Sequence, residues 1–115
     1  MQKWIDYCMT LRGTSLTTPF GPDTIVMKVG TKMFALFPAD STSPTVSLKC
    51  EPLRADALRE QHPEITPGYH LNKQHWNTVA LNGKLSDEEI QSLIDHSYEC
   101  VTRKMTKSER AAIGS

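Results

Sequence analysis

Apolar residues along this chain recur in two periods, and each run marks an element. From Met1 to Leu11, the side chains of Trp4, Ile5, Cys8 and Leu11 are spaced as one face of a helix, and Gly13 is placed to end it. In the passage "GTSLTTPFGPD", Pro19, Gly21 and Pro22 argue against regular structure. "TIVMKVGTKMFALF" then alternates as a hairpin. Gly30-Thr31 is the Gly-X pair of a type II′ turn, which sets Val29 opposite Lys32 and Met27 opposite Phe34. In that register Ile25, Met27, Val29, Phe34 and Leu36 share one face, while Thr24, Val26, Lys28, Met33, Ala35 and Phe37 share the other. "TVSLKC", from Thr45 to Cys50, predicts a third strand with Val46, Leu48 and Cys50 inward, and Pro44 suits its entrance.

Pro52 opens a helix at its first turn, where a missing N–H costs nothing. "PLRADALREQH" is expected to bury Leu53, Ala57 and Leu58, and Pro63 stops it. "PEITPG" reads as a loop. Period-two alternation returns from His75 to Leu81, and Asn82-Gly83 turns the chain. The best-marked element follows. Ser86 is an N-cap, Glu89 completes a capping box, and Leu85 and Ile90 occupy the positions of a hydrophobic staple. Ile90, Leu93, Ile94, Ser97, Tyr98, Val101 and Met105 then recur at helical steps, with Arg103 and Lys104 near the C-terminus, where the dipole favours cations. "KSERAAIG" predicts a short last helix. Helix, three strands, helix, one or two strands and helix make an α+β domain over residues 1–115. Its largely antiparallel sheet carries the helices on one face in two layers.

Composition narrows the function. The 115 residues are 38% hydrophobic and 23% charged, ordinary for one globular domain. No stretch approaches the apolar length of a membrane span, and "MQKWIDYCMTLRG" lacks the apolar region of a signal peptide, so a cytoplasmic protein is expected. Thirteen basic and thirteen acidic side chains balance, which argues against strong nonspecific DNA binding while leaving room for a local basic patch. Cys8, Cys50 and Cys100 lie far apart with no C-x-x-C and read as small buried hydrophobes. His70 and His75 are five apart, which suits neither a helical nor a strand pair of metal ligands, and His62 and His96 have no partner at ligand spacing. With no G-x-S-x-G motif and no glycine-rich phosphate loop, the sequence predicts no catalytic residues, no metal and no cofactor.

One stretch stands apart. "GYHLNKQHWNTVAL", from Gly68 to Leu81, gathers His70, Asn72, Lys73, His75 and Trp76, which include donors for phosphate or base edges and one large stacking surface. Lys28 and Lys32 flank the hairpin turn and Lys84 sits beside Asn82-Gly83, so two basic loops projecting from a sheet would grip a duplex like wings. The competing reading is architectural and is favoured for Trp76 and His70. A tryptophan more often packs at a core or edge, and loop His and Asn side chains often serve only local hydrogen bonds.

"HLNKQHWNTVALNG", followed by the capped helix with "LIDHSYECV", closely resembles the MmcQ/YjbR family of small bacterial proteins. "VKVGTKMFAL", "VSLKC" and "PFGPD" extend the resemblance over nearly the whole chain. It implies an α/β fold grouped with secretion-chaperone-like domains and likened to DNA-binding proteins through a "double wing". It carries no established reaction, hence no catalytic residues. By that resemblance the wings are the hairpin around Gly30 and the turn or loop at either end of the Trp76 strand. The expectation is a non-enzymatic, monomeric DNA-binding protein. Its contacts are Lys28, Lys32, Lys73 and Lys84, with His70, Asn72 and Trp76 supporting or stacking. The alternative is a protein-interaction module that binds a partner or itself through one sheet face.

Overall fold

The alternating runs pair into one six-stranded sheet in which every neighbour is antiparallel. The structure, a computed structural model, describes residues 2–38, 44–68 and 71–114. Its elements are α1 (Gln2–Met9), β1 (Thr14–Thr17), β2 (Thr24–Val29), β3 (Lys32–Pro38), β4 (Thr45–Lys49), α2 (Pro52–Gln61), β5 (Ile65–Pro67), β6 (Trp76–Ala80), α3 (Asp87–Arg103) and α4 (Lys107–Gly114). The strand order is β1-β2-β3-β4-β6-β5. Trp4, Ile5 and Cys8 of α1 and Ile90, Leu93, Ile94 and Val101 of α3 close over one sheet face, where they meet Met27, Val29, Phe37, Val46, Leu48 and Val79. Burial of this order is worth about 1.5–3 kcal/mol for each large side chain, so that face supplies most of the driving force. The expected two-layer α+β architecture is the one observed.

Two strands lie where breakers suggested loops. β1 occupies Thr14–Thr17, because Pro19, Gly21 and Pro22 fall only in the second half of that passage and leave a Thr-rich run free to pair with β2. β5 is the three-residue run Ile65–Pro67, in which buried Ile65 pairs opposite Val79. Helix α2 also turns differently from its pattern. It buries Ala55 and half-buries Leu58, whereas Leu53 is 86% exposed and Ala57 lies outward. Its apolar residues do not form a coherent stripe, so packing against β5 sets the rotation. Pro52 sits in its first turn as expected, and the chain leaves helical geometry at His62, before Pro63.

The hairpin holds its predicted pairing only at the tip. Val29 faces Lys32, with Gly30 at φ +60° supplying the turn conformation that a side chain would resist. A bulge between Met27 and Lys28 then places Met27 opposite Ala35, not Phe34. One added residue reverses the alternation beyond it. Ala35 and Phe37 therefore join the helix-covered core, while Leu36 moves to the outer face beside Val26 and Trp76. Phe34 stays in the core on the bulge itself. Ser97 of α3, wholly buried, mends the ladder there: its hydroxyl donates to Phe34 O at 2.5 Å and accepts Lys49 N–H at 2.8 Å. A helix hydroxyl thus takes the place of the direct β3–β4 bond that the bulge prevents.

The N-cap half of the capping box is present, while the Glu89 carboxylate accepts the Ser86 hydroxyl at 3.3 Å and not the Ser86 backbone N–H that a full box requires. Ser86 Oγ accepts Glu89 N–H at 3.1 Å, and Leu85 and Ile90 are both buried beside it. Three carboxylates, Asp87, Glu88 and Glu89, fill the first turn of α3.

Candidate nucleic-acid interface

The register of the sheet decides which loops share an end. β2 reaches its tip at Val29 opposite Lys32, Lys49 closes β4 opposite Trp76, and Pro67 ends β5 opposite Asn77. The β2–β3 turn, the end of β4 and the described parts of the β5–β6 connection, Gly68 and residues 71–75, therefore project from one end of the sheet, called here the hairpin end. Lys28, Lys32 and Lys73 lie there, and Lys49 joins them. Lys84 does not. It follows β6 at the far end, one strand length or roughly 17 Å away, where Asn82 Oδ1 accepts its backbone N–H at 3.1 Å. His70 lies outside the described residues.

The β5–β6 connection is held by backbone contacts. Gly68 N–H donates to Trp76 O at 2.8 Å, and a Cβ at Gly68 would stand 2.7 Å from Trp76 Cβ, so only glycine lets the two strands approach. Asn72 Oδ1 accepts Gln74 N–H at 2.9 Å in an Asx turn, and Lys73 Nζ donates to Gly68 O at 3.3 Å. From α2, Arg59 reaches across. Its Nε donates to Asn77 Oδ1 at 2.6 Å, and Nη2 donates to Trp76 O at 3.1 Å and to Lys73 O. Arg59 was not legible as part of this cluster, because nothing in its own helix pattern points fourteen residues onward. Trp76 is only 7% exposed and packs on the outer sheet face with Val26, Leu36, Met33 and Leu71. Its ring supports the sheet from which the loop springs.

Charge is sorted along the strands. Near the hairpin end lie Arg12, Lys28, Lys32, Lys49, Lys73 and Arg103, the last paired with Glu51 at 2.7 Å. Near the far end lie Asp23, Glu64, Asp87, Glu88 and Glu89, against two lysines, Lys84 after β6 and Lys3 bound to Asp87. The formal net charge of zero conceals a polarity that runs along the sheet.

The family model YjbR matches residues 9–100, from the end of α1 through most of α3. The chain belongs to the YjbR family. The Escherichia coli protein YjbR is 36% identical over 110 residues, spanning 96% of this chain and 93% of its own. The YbdF protein of Escherichia coli O157:H7 is 33% identical over 98 residues, spanning 85% of this chain and 80% of its own. A crystal structure from Deinococcus radiodurans superposes with a TM-score of 0.92 at 40% identity and covers 98% of this chain and 86% of that one. A Pseudomonas syringae protein gives a TM-score of 0.76 at 34% identity, with coverage of 86% and 96%.

Other polar groups of this YjbR-family fold lie on the helix layer. His96 Nε2 is 3.4 Å from Cys100 Sγ, one turn on along α3, which corrects the expectation that His96 has no partner at such a spacing. Burial lowers the His96 pKa and raises that of Cys100, so the pair is a neutral imidazole beside a neutral thiol. Burial likewise pushes Cys8 up to about 12 and Cys50 up to about 11, which makes all three thiols poor nucleophiles at neutral pH. No group of three or more His, Cys, Asp or Glu among the described residues is arranged to hold a metal ion. Nor is any described helix long and apolar enough to cross a membrane.

Proposed function

We propose that this chain binds duplex DNA through the hairpin end of its sheet, without catalysis and without a cofactor. The supporting observation is the register, which brings the β2–β3 turn and the β5–β6 connection to one end together with Lys28, Lys32 and Lys73. Three strand spacings separate the centres of the two hairpins, roughly 14 Å at the usual interval between strands. B-DNA has a major groove about 12 Å wide, so two such loops reach phosphates on both sides of one groove. Lysine ammonium groups supply charge without base discrimination, which fits phosphate contact. Lys73 starts from a weak 3.3 Å bond to a carbonyl that a phosphate readily replaces. Trp76 serves the interface through the fold, and Asn72 through the Asx turn that shapes the loop.

The reading in which a sheet face docks a protein partner has less support. The apolar side chains on the outer face, Val26, Leu36 and Trp76, are already buried, and an exposed apolar patch is what such docking needs. Fluorescence anisotropy on a short duplex across a salt series tests the proposal. Lys28→Ala with Lys32→Ala is expected to weaken binding and lower the salt slope by about one to two units. Affinity and slope equal to those of the parent would remove the hairpin from the interface.

A further inference from the structure

The two edges of the sheet are built in opposite ways. At one edge β5 is three residues long, ends on Pro67, follows Pro63 and packs beside α2, all features that block strand addition. At the other edge β1 is Thr14-Ser15-Leu16-Thr17, with no proline and no charge, and no strand lies beyond it among the described residues. Three of the four large apolar side chains exposed among the described residues belong to β1 or to the chain just before and after it. Leu16 on the strand is 45% exposed, Met9 at the end of α1 is 46% exposed, and Phe20 in the following loop is 66% exposed.

The hydrogen-bond phase points the strand outward at Leu16. Gly30 N–H donates to Gly13 O just before β1. Counting in alternation from that bond along the antiparallel pair, Ser15 and Thr17 bond toward β2, while Leu16 turns its N–H and C=O to the free side.

We propose that β1 pairs antiparallel with β1 of a second copy of this chain, making one continuous sheet through a two-fold dimer. Side chains on facing strands share a face only if the axis passes through a residue, and Leu16 is the residue with outward N–H and C=O. That register sets Leu16 against Leu16 of the second copy on the helix side, covering both half-exposed side chains. It sets Ser15 against Thr17 on the outer side, a favourable hydroxyl pair. Charge selects the same partner. The polarity of each copy runs along its strands, so antiparallel pairing lays the basic end of one beside the acidic end of the other. Such an interface is isologous and closes after two copies. It leaves both hairpin ends uncovered, so the dimer stands independently of the DNA reading.

Sedimentation equilibrium on the full chain tests this over micromolar to millimolar concentrations, with hydrogen exchange of the Leu16 amide read on the same samples. The parent is expected to approach twice its 12.9 kDa, with Leu16 N–H protected at high concentration and exchanging freely on dilution. Leu16→Lys places charge on the edge, and Leu16→Pro removes the outward-facing donor together with the leucine side chain. Both are expected to stay at the single-chain mass, whereas Leu53→Lys on α2 dimerises like the parent. A parent that remains single at millimolar concentration overturns the proposal, including the case in which this edge takes a strand from a different protein. So does a dimer whose Leu16 amide exchanges freely, a readout that needs no variant to fold.

Discussion

Replacing Ser97 by alanine removes one hydroxyl and strands two backbone groups. Ser97 Oγ donates to Phe34 O at 2.5 Å and accepts Lys49 N–H at 2.8 Å, at a point where the bulge has parted β3 from β4. Ser97 and Phe34 are fully buried, so water cannot replace the lost hydroxyl at the Phe34 carbonyl. An unsatisfied buried donor or acceptor costs about 1–3 kcal/mol, and the vacated hydroxyl volume is too small to hold water. Allowing for some closing of the gap between the strands, Ser97→Ala should cost about 3 kcal/mol. In a domain of this size that lowers Tm by roughly 10–15 °C. Urea denaturation followed by tryptophan fluorescence measures the loss, with an unchanged m-value showing that the unfolded state is the same. Ser97→Thr keeps the hydroxyl and should recover part of the stability, limited by its added methyl. If Ser97→Ala instead falls within about 0.5 kcal/mol of the parent, the strands pair without help and the mending role is wrong.

Arg59→Ala leaves buried Asn77 Oδ1 without its donor, while Trp76 O keeps Gly68 N–H. The expected loss is about 2 kcal/mol with faster amide exchange over residues 71–75, and Asn77→Ala in the same chain should add much less than its own single effect. Ser86→Ala should lose about 1 kcal/mol, the usual value of an N-cap, and equal denaturation midpoints would count against the cap. The folded state holds the Cys8 proton to about pH 12, whereas the unfolded chain releases it from near 9.0. Stability from this group is therefore complete below pH 9 and lost as pH rises toward 12. Cys8→Ala should flatten that alkaline decline in a series of melts, and an unchanged decline would assign it elsewhere, with Tyr7, raised to about 12, as the next group to replace.

What could be read in advance follows from where the deciding contacts lie. The α3 cap was legible because Ser86, Glu89, Leu85 and Ile90 all act within one turn of each other. So was the hairpin turn, which needs only Gly30. The bulge was not, since the hydroxyl that satisfies its Phe34 carbonyl comes from Ser97, sixty-three residues away along the chain. With it went the faces of Ala35, Leu36 and Phe37. The rotation of α2 escaped for a similar reason, because a helix without a coherent apolar stripe takes its orientation from what it packs on. Of the candidate contacts, Lys28, Lys32 and Lys73 share an end and Lys84 does not. That division comes from strand register, which the alternation of each strand alone does not contain.

The proposed DNA contact rests on the polarity of the sheet, and charge reversal at its two ends probes it most directly. The measurement is the affinity for a short duplex across a salt titration, comparing Lys32→Glu with Lys73→Glu against Lys84→Glu. The two reversals at the hairpin end should abolish binding at moderate salt, and either one alone should lower the salt slope by about one unit. Lys84→Glu should bind like the parent. A Lys84→Glu variant that loses binding while the hairpin-end variants keep it would contradict the account.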